Sequence, residues 1–120
     1  MDWEICWHVE LLIKPGQLES FRVLTGEMVE LTRREQGVLS YQRFISEDGK
    51  TVHVFERYEN SAAALAHLRT FAKEFAERFQ KLVKRKSFVV FGNPTAELKA
   101  ALDRYGATYA KPFGNFAYWA

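Results

Sequence analysis

The most constraining feature of the sequence is the change of hydrophobic period between residues 3–14 and residues 17–36. In the first segment, apolar side chains occupy every second position, which is the period of a β-strand with one apolar face. Pro15 and Gly16 end this pattern. Apolar residues then recur at steps of three and four, which predicts an amphipathic helix that ends near Gly37. The chain therefore begins with a strand that has an apolar face to bury and a helix whose own apolar face can pack against it.

Four further elements follow in the core. Residues 38–46 and 51–58 are strand-like and are joined by a turn containing Asp-Gly, a strong hairpin signal. A helical period extends from about residue 62 to about residue 84, and Thr70 marks an expected break between two helical pieces. Residues 86–91 predict a fourth strand.

The order of these elements is β-α-β-β-α-β, the ferredoxin-like arrangement. It predicts an α+β fold with a four-stranded antiparallel sheet and two helices on one face. The other face of the sheet would then be bare. Because a second copy of the chain would cover it, we expect a homodimer.

Residues 93–120 form a C-terminal addition to this core. Pro94 is well placed in the first turn of a helix over residues 95–105. The tail over residues 107–120 contains the aromatic residues Tyr109, Phe113, Phe116, Tyr118 and Trp119. Since so many aromatic side chains are unfavourable in water, we expect the tail to dock on its own sheet or on a partner subunit.

Composition excludes several classes of protein. The chain has 120 residues, of which 48% are hydrophobic and 27% charged, as expected for one ordered domain spanning residues 1–120. The net charge of +2 gives no strong attraction to nucleic acid or to a membrane, and the basic run 84–86 is interpreted as a helix end with a solvated turn. No apolar run is long enough to span a bilayer, and the acidic N-terminus does not fit a signal peptide, so we expect a cytoplasmic protein. The lone Cys6 excludes an internal disulfide.

Four local motifs in this order resemble a known family. They are Lys-Pro-Gly at 14–16, Gly-Val-Leu-Ser-Tyr at 37–41, Val-Phe-Glu-Arg-Tyr-Glu at 54–59 and Ala-Leu-Ala-His-Leu at 64–68. Together they resemble the antibiotic biosynthesis monooxygenase (ABM) superfamily of dimeric ferredoxin-like α/β barrels. The resemblance covers about residues 3–92.

This resemblance implies a homodimer whose two sheets close into one barrel, with ligands bound between the sheet and the helices of each subunit. Known members oxidise quinols or polycyclic aromatic compounds with oxygen and no cofactor, a branch degrades haem, and many have no established activity. The present sequence departs from the haem-degrading branch. The first strand lacks that branch's Asn, and His67 stands where that branch has Trp.

The candidate catalytic residues are His67, His53 and Tyr41. His67 lies one position from the apolar stripe of the second helix, where an imidazole can face a cleft and abstract a proton. Tyr41 and His53 are the expected orienting groups. The alternative is that His67 only packs against the hairpin and that Tyr41 stacks on the sheet.

The candidate substrate-binding residues are His8, Arg43, Tyr58, Phe71 and Phe75. Arg43 would stabilise an anion and Tyr58 would bond a carbonyl. The two Phe residues would line an apolar pocket or, alternatively, fill the core.

The sequence implies no metal, flavin or nucleotide cofactor. It has no phosphate-binding glycine loop and no dinucleotide fingerprint. His8 and His53 lie on neighbouring strands and could converge with a Glu on a metal, but their spacing does not match a known metal motif. Glu56 lies among apolar residues and, if buried, needs a partner, for instance Arg43.

These observations lead to two hypotheses. The first is a cofactor-independent monooxygenase that acts on a small aromatic or quinol-type molecule. The alternative is a non-catalytic dimeric α+β barrel that binds a small hydrophobic ligand or has a structural role.

Overall fold

The computed structural model describes residues 3–114 and residue 116 of the chain. Within this part, five strands and four helices follow one another. In chain order they are β1 (Ile5–Ile13), α1 (Leu18–Arg33), β2 (Val38–Ile45), β3 (Thr51–Tyr58), α2 (Ser61–Glu74), α3 (Ala76–Leu82), β4 (Val83–Phe91), α4 (Ala96–Asp103) and β5 (Thr108–Ala110).

The strands form one sheet in the order β2-β3-β1-β4-β5. The first four pair antiparallel, which confirms the predicted ferredoxin-like α+β fold. The fifth strand pairs parallel to β4 and was not predicted. Its three residues are too few to show a period, and its position depends on backbone bonds such as Gly92 N–H to the Ala110 carbonyl at 3.0 Å.

The expected helix break at Thr70 is wrong, because the interruption lies at Phe75. The Thr70 hydroxyl donates to the Ala66 carbonyl one turn earlier, so this residue stays inside α2. At Phe75 the backbone leaves the helical region, with φ −127° and ψ −24°, and its side chain is buried. The turn directs the chain so that Phe79 also enters the core.

The fourth strand begins at Val83 rather than at residue 86, and this changes the interpretation of the basic run 84–86. That run is part of β4, not a helix end and a solvated turn. Lys84 and Lys86 are exposed, whereas Arg85 is half-buried.

Alternation gives the sheet two unlike faces. The closed face, defined by Trp7, Val9, Val54 and Glu56, carries the buried side chains and is covered by the helices. The open face, defined by His8, His53, Phe44, Phe55 and Phe91, carries half-buried and exposed side chains. Phe44 is 55% exposed and Phe55 is 44% exposed on the isolated chain.

Within its described residues, the tail joins the sheet through β5. The Tyr109 hydroxyl donates to Asp103 Oδ1 at 2.6 Å, which ties β5 to α4. Phe113 and Phe116 are exposed, and among the described residues of the tail the strand pairing with the sheet is made by residues 108–110. Tyr118 and Trp119 lie outside the described residues. None of the helices described is both long and apolar enough to cross a membrane.

Candidate functional site

A cavity lies between the closed face and the helices α1, α2 and α3. Its wall combines apolar side chains such as Trp7 and Phe71 with six ionisable or hydroxyl side chains, namely Tyr41, Arg43, Glu56, His67, Arg85 and Tyr105. The cavity has a volume of about 40 Å³ and opens to solvent. It holds a few water molecules as it stands, so the side chains of its wall must move apart to admit an aromatic ligand.

His67 reaches this cavity from α2. The helix begins after Asn60, whose side chain accepts the Ala63 N–H at 2.9 Å. Ser61, Ala64 and Leu68 share the buried side of the helix with His67. The sequence placed His67 at the edge of the apolar stripe, but the side chain is only 6% exposed. A buried imidazole needs partners, and it has two carboxylates.

Glu56 is the first of these partners. The alternation of β3 directs it to the closed face between Val54 and Tyr58, where it is 7% exposed. Its Oε1 lies 3.3 Å from His67 Nε2 and accepts a hydrogen bond from the Tyr58 hydroxyl. The pairing with Arg43 that the sequence suggested does not form, because Arg43 lies opposite Val54 in the register and Tyr41 lies opposite Glu56.

Glu35 is the second partner, and sequence reasoning missed it. It lies in the turn between α1 and β2, and its Oε1 is 2.7 Å from His67 Nδ1. The same turn contains Gly37, with φ +86°, where an added Cβ would lie 2.6 Å from the Ala63 Cβ. Glycine thus permits the close approach of this turn to α2. A polar turn residue gives no sequence signal for such a contact.

Both ring nitrogens of His67 are therefore occupied by carboxylates. A proton between Nδ1 and Glu35 and a second between Nε2 and Glu56 would make an imidazolium held by two anions. If the second proton resides on Glu56 instead, the imidazole is neutral. Nε2 and Glu56 Oε1 lie 3.3 Å apart, so a small movement of either side chain would let a proton pass between them, as a proton relay needs.

Tyr41 and Arg43 form a second polar group in the same wall. Arg43 donates to the Tyr41 hydroxyl oxygen at 2.8 Å and to Thr25 Oγ1 at 2.9 Å. The Tyr41 ring lies edge-on to His67, with 5.5 Å between centroids. Burial raises the pKa of Tyr41 to about 12, against the opposing charge of Arg43. The phenol therefore keeps its proton at neutral pH and can donate a hydrogen bond.

Three other candidates from the sequence differ in their relation to this wall. Tyr58 packs against Trp7 and His67 and donates to Glu56. Burial, together with the adjacent Glu56 carboxylate, raises the pKa of Tyr58 well above its usual value. Phe71 lines the cavity, whereas Phe75 is buried in the core at the junction of α2 and α3 and is not part of the wall.

The structure does not bring His8 and His53 to this cavity. Both belong to the open face, where His8 Nε2 and His53 Nδ1 are 3.0 Å apart and the rings stack. His53 is three positions from Glu56 on one strand, so alternation sends their side chains to opposite faces. Burial and the neighbouring His53 lower the pKa of His8. No cluster of three or more His, Cys, Asp or Glu suited to a metal occurs among the described residues.

Arg85 lines the cavity from β4, and sequence reasoning missed this residue as well. The guanidinium lies over the rings of Phe79, Phe88 and Tyr105, at 5.9, 5.9 and 5.2 Å from their centroids. Burial lowers the pKa of Arg85. The signal was hidden because the two neighbouring lysines made the run look like a solvated turn.

Comparison with known proteins agrees with the fold. The family model for antibiotic biosynthesis monooxygenase matches residues 5–85. No curated protein matches the chain.

Among solved structures, MupZ from Pseudomonas fluorescens is 22% identical with a TM-score of 0.87, over 98% of this chain and 91% of that chain. Rv0793 from Mycobacterium tuberculosis is 23% identical with a TM-score of 0.61, over 77% of this chain and 96% of that chain. A conserved protein from Methanosarcina mazei Go1 is 16% identical with a TM-score of 0.66, over 73% and 90% of the two chains. Of these three, the match to MupZ extends over the C-terminal addition as well as the core.

Proposed function

Because the chain belongs to the antibiotic biosynthesis monooxygenase family, we propose that its cavity oxidises a small aromatic or quinol-type substrate with molecular oxygen and no cofactor. The observation that carries this proposal is the buried His67 held between Glu35 and Glu56 at the cavity wall. A proton-accepting group in an apolar, water-poor cavity is what the activation of a phenol requires.

In this proposal Glu56, paired with His67, removes the proton from the substrate. His67 cannot act alone, because both of its nitrogens already contact carboxylates. Glu35 holds the Nδ1 side of the ring, so that a proton taken up at Glu56 can move to Nε2. The role of base expected for His67 thus becomes a role shared with Glu56.

The deprotonated ring is electron-rich and passes an electron to oxygen. The two radicals combine into a peroxide anion at the ring carbon, and the proton held by Glu56 and His67 converts it into a hydroperoxide. Loss of water then leaves a ketone or quinone. One oxygen atom enters the product and the other leaves as water. Tyr41 donates a hydrogen bond to the developing oxyanion, and the Arg43 charge behind Tyr41 stabilises it.

The open face supports a further proposal, that two copies of the chain form a homodimer. Phe44, Phe55 and Phe91 leave apolar surface on this face of the isolated chain. Burial of that surface in a second sheet is favourable. This is the assembly that the family resemblance implies.

Oxygen uptake tests the proposed activity. Purified protein is assayed with hydroquinones, naphthoquinols and anthrone-type compounds beside Glu56→Gln, His67→Gln and the control Glu10→Gln on the open face. We expect uptake above autoxidation in the wild type and the control, and a loss of about 100-fold or more in the two cavity variants. Equal uptake by wild type and Glu56→Gln would contradict the relay.

A second candidate is a proton-transfer enzyme that does not use oxygen. The observation that favours it is that an acid, Tyr41, and a base pair, Glu56 with His67, face one cavity. Anaerobic exchange of a substrate C–H for deuterium, lost in Glu56→Gln and without oxygen uptake in air, would support this candidate. Binding of the same compounds without exchange or uptake would favour the non-catalytic alternative.

A further inference from the structure

Arg85 is a charged residue that the proposed relay does not use. It lies on the closed face of β4, opposite Leu11 of β1, and its side chain forms part of the cavity wall. Three aromatic rings surround the guanidinium, at centroid distances of 5.2 to 5.9 Å. Such rings attract the charge through their faces and fix the side chain in place, but they leave its N–H donors unused.

Most arginines of the described residues have carboxylate partners, and the exceptions are Arg43, Arg85 and the exposed Arg104. Each of six lies within 4.0 Å of a Glu, namely Arg22, Arg33, Arg34, Arg57, Arg69 and Arg78. Arg43, the other arginine in the cavity wall, donates to Tyr41 and Thr25. For Arg85, no carboxylate and no hydrogen-bond acceptor is found among the described residues.

The donors of this half-buried guanidinium keep some contact with solvent, since Arg43 Nε is the one fully buried side-chain nitrogen or oxygen without a partner among the described residues. Burial has nevertheless removed part of their hydration. An anion that enters the cavity would satisfy them. A carboxylate fits best, since its two oxygens match the fork of the guanidinium in a bidentate pair. The surrounding rings would at the same time pack against an apolar ligand body.

The strand register places Arg85 away from the relay. Along β1, Leu11 pairs with Arg85 and Trp7 pairs with Glu56. Trp7 and Leu11 are four residues apart, which is about 13 Å along β1, and Glu56 and Arg85 lie on the strands at opposite sides of β1. A ligand held at both ends would therefore present its reacting atoms to Glu56 and its anionic group to Arg85.

We propose that Arg85 is the anion-binding residue of the cavity and that the ligand is an aromatic carboxylate. This inference deepens the proposed function and rests on it for the identity of the reacting end. It adds a carboxylate to the small aromatic substrate class. It also makes Arg85 a determinant of binding rather than of proton transfer.

Binding of benzoate and of its neutral analogue benzamide tests the proposal without any turnover. Affinities are measured by NMR chemical-shift titration of the wild type, Arg85→Met, Arg85→Lys and the control Lys84→Met. Lys84 is the adjacent residue on β4 and is exposed, so its variant removes the same charge outside the cavity. The resonances of unliganded Arg85→Met also report whether that variant is folded.

We expect the wild type and Lys84→Met to bind benzoate about tenfold more tightly than benzamide. Arg85→Met should bind both about equally, and Arg85→Lys should retain part of the preference because it keeps the charge without the fork. Equal wild-type affinities, no benzoate binding at millimolar concentration, or a preference that persists in Arg85→Met would overturn the proposal.

The two proposals fail separately. Oxygen uptake without a benzoate preference would remove the role of Arg85 and leave the oxygenase. A benzoate preference that depends on Arg85, without uptake or exchange on any compound, would leave an anion-binding cavity and remove the catalytic function.

Discussion

The two faces of the sheet each carry histidine, but in opposite surroundings. On the closed face, His67 is buried between Glu35 and Glu56, so a positive imidazolium would be balanced by two carboxylates. On the open face, His8 and His53 have each other at 3.0 Å, and the pKa of His8 is lowered by burial and by His53. The closed face thus places two carboxylates around its imidazole, whereas the open face places a second imidazole beside His8 and lowers the pKa of His8.

The chemistry of each histidine therefore depends on the groups of the sheet face that it contacts. The closed face brings together side chains from a turn, a strand and a helix, and so supplies partners that are remote in sequence. The open face offers the apolar rings of Phe44 and Phe55 to a neighbouring surface. The closed face is suited to proton transfer and the open face to association.

The largest expected effect is loss of stability when the closed-face histidine is replaced. His67→Phe leaves Glu35 and Glu56 without their shared partner, and we expect the free energy of unfolding to fall by about 3 kcal/mol. The matched variant His53→Phe on the open face should cost less than about 1 kcal/mol. Urea denaturation measures both, and equal losses would show that the two faces do not differ in this way.

A smaller effect is expected from the turn that brings Glu35 to His67. Gly37→Ala forces a Cβ towards the Ala63 Cβ at a positive φ, and it should cost about 2 kcal/mol. Gly106→Ala is the control, because its φ is also positive but nothing lies within 4 Å. That variant should cost about 1 kcal/mol. Thermal or urea unfolding that ranks Gly106→Ala as the more damaging would contradict the close approach.

The open face gives a prediction about association. Phe55→Glu places a charge on the proposed interface and should weaken the dimer by at least about tenfold in dissociation constant. Val23→Glu, on the exposed side of α1, should leave the dimer unchanged. Analytical ultracentrifugation compares them. A wild type that sediments as a monomer at micromolar concentration would remove the proposed homodimer.

The smallest effect concerns pH. The pKa of His8 is lowered in the folded chain, so between the unfolded value of about 6.5 and the folded value the unfolded state binds more protons. Stability therefore falls as the pH drops below about 6.5 and through the folded pKa. Melting temperatures between neutral and mildly acidic pH should fall less for His8→Gln than for the wild type. An equal fall would assign the acid sensitivity to other groups.

Much of the fold could be predicted from the sequence, because strands and helices show their own periods. The alternation before Pro15 predicted β1, and the Asp-Gly turn at Gly49 predicted the hairpin of β2 and β3, and the structure has both. The site was predicted less completely. His67, Tyr41, Arg43 and Phe71 do line one cavity, but Glu35 and Arg85 carry no local signal, and His53 lies on the other face.

The ferredoxin-like order of elements and the apolar faces that must be covered follow from the sequence alone, since they depend on residues close together in the chain. Which ionisable groups meet depends on the tertiary fold. Glu35 reaches His67 because Gly37 allows the turn to approach α2, and Glu56 reaches it because β3 presents that position to the helices. Arg85 became a cavity residue because β4 begins at Val83 and alternation turns the guanidinium inward. Contacts of this kind join distant segments, and the packing of a helix on a sheet creates them.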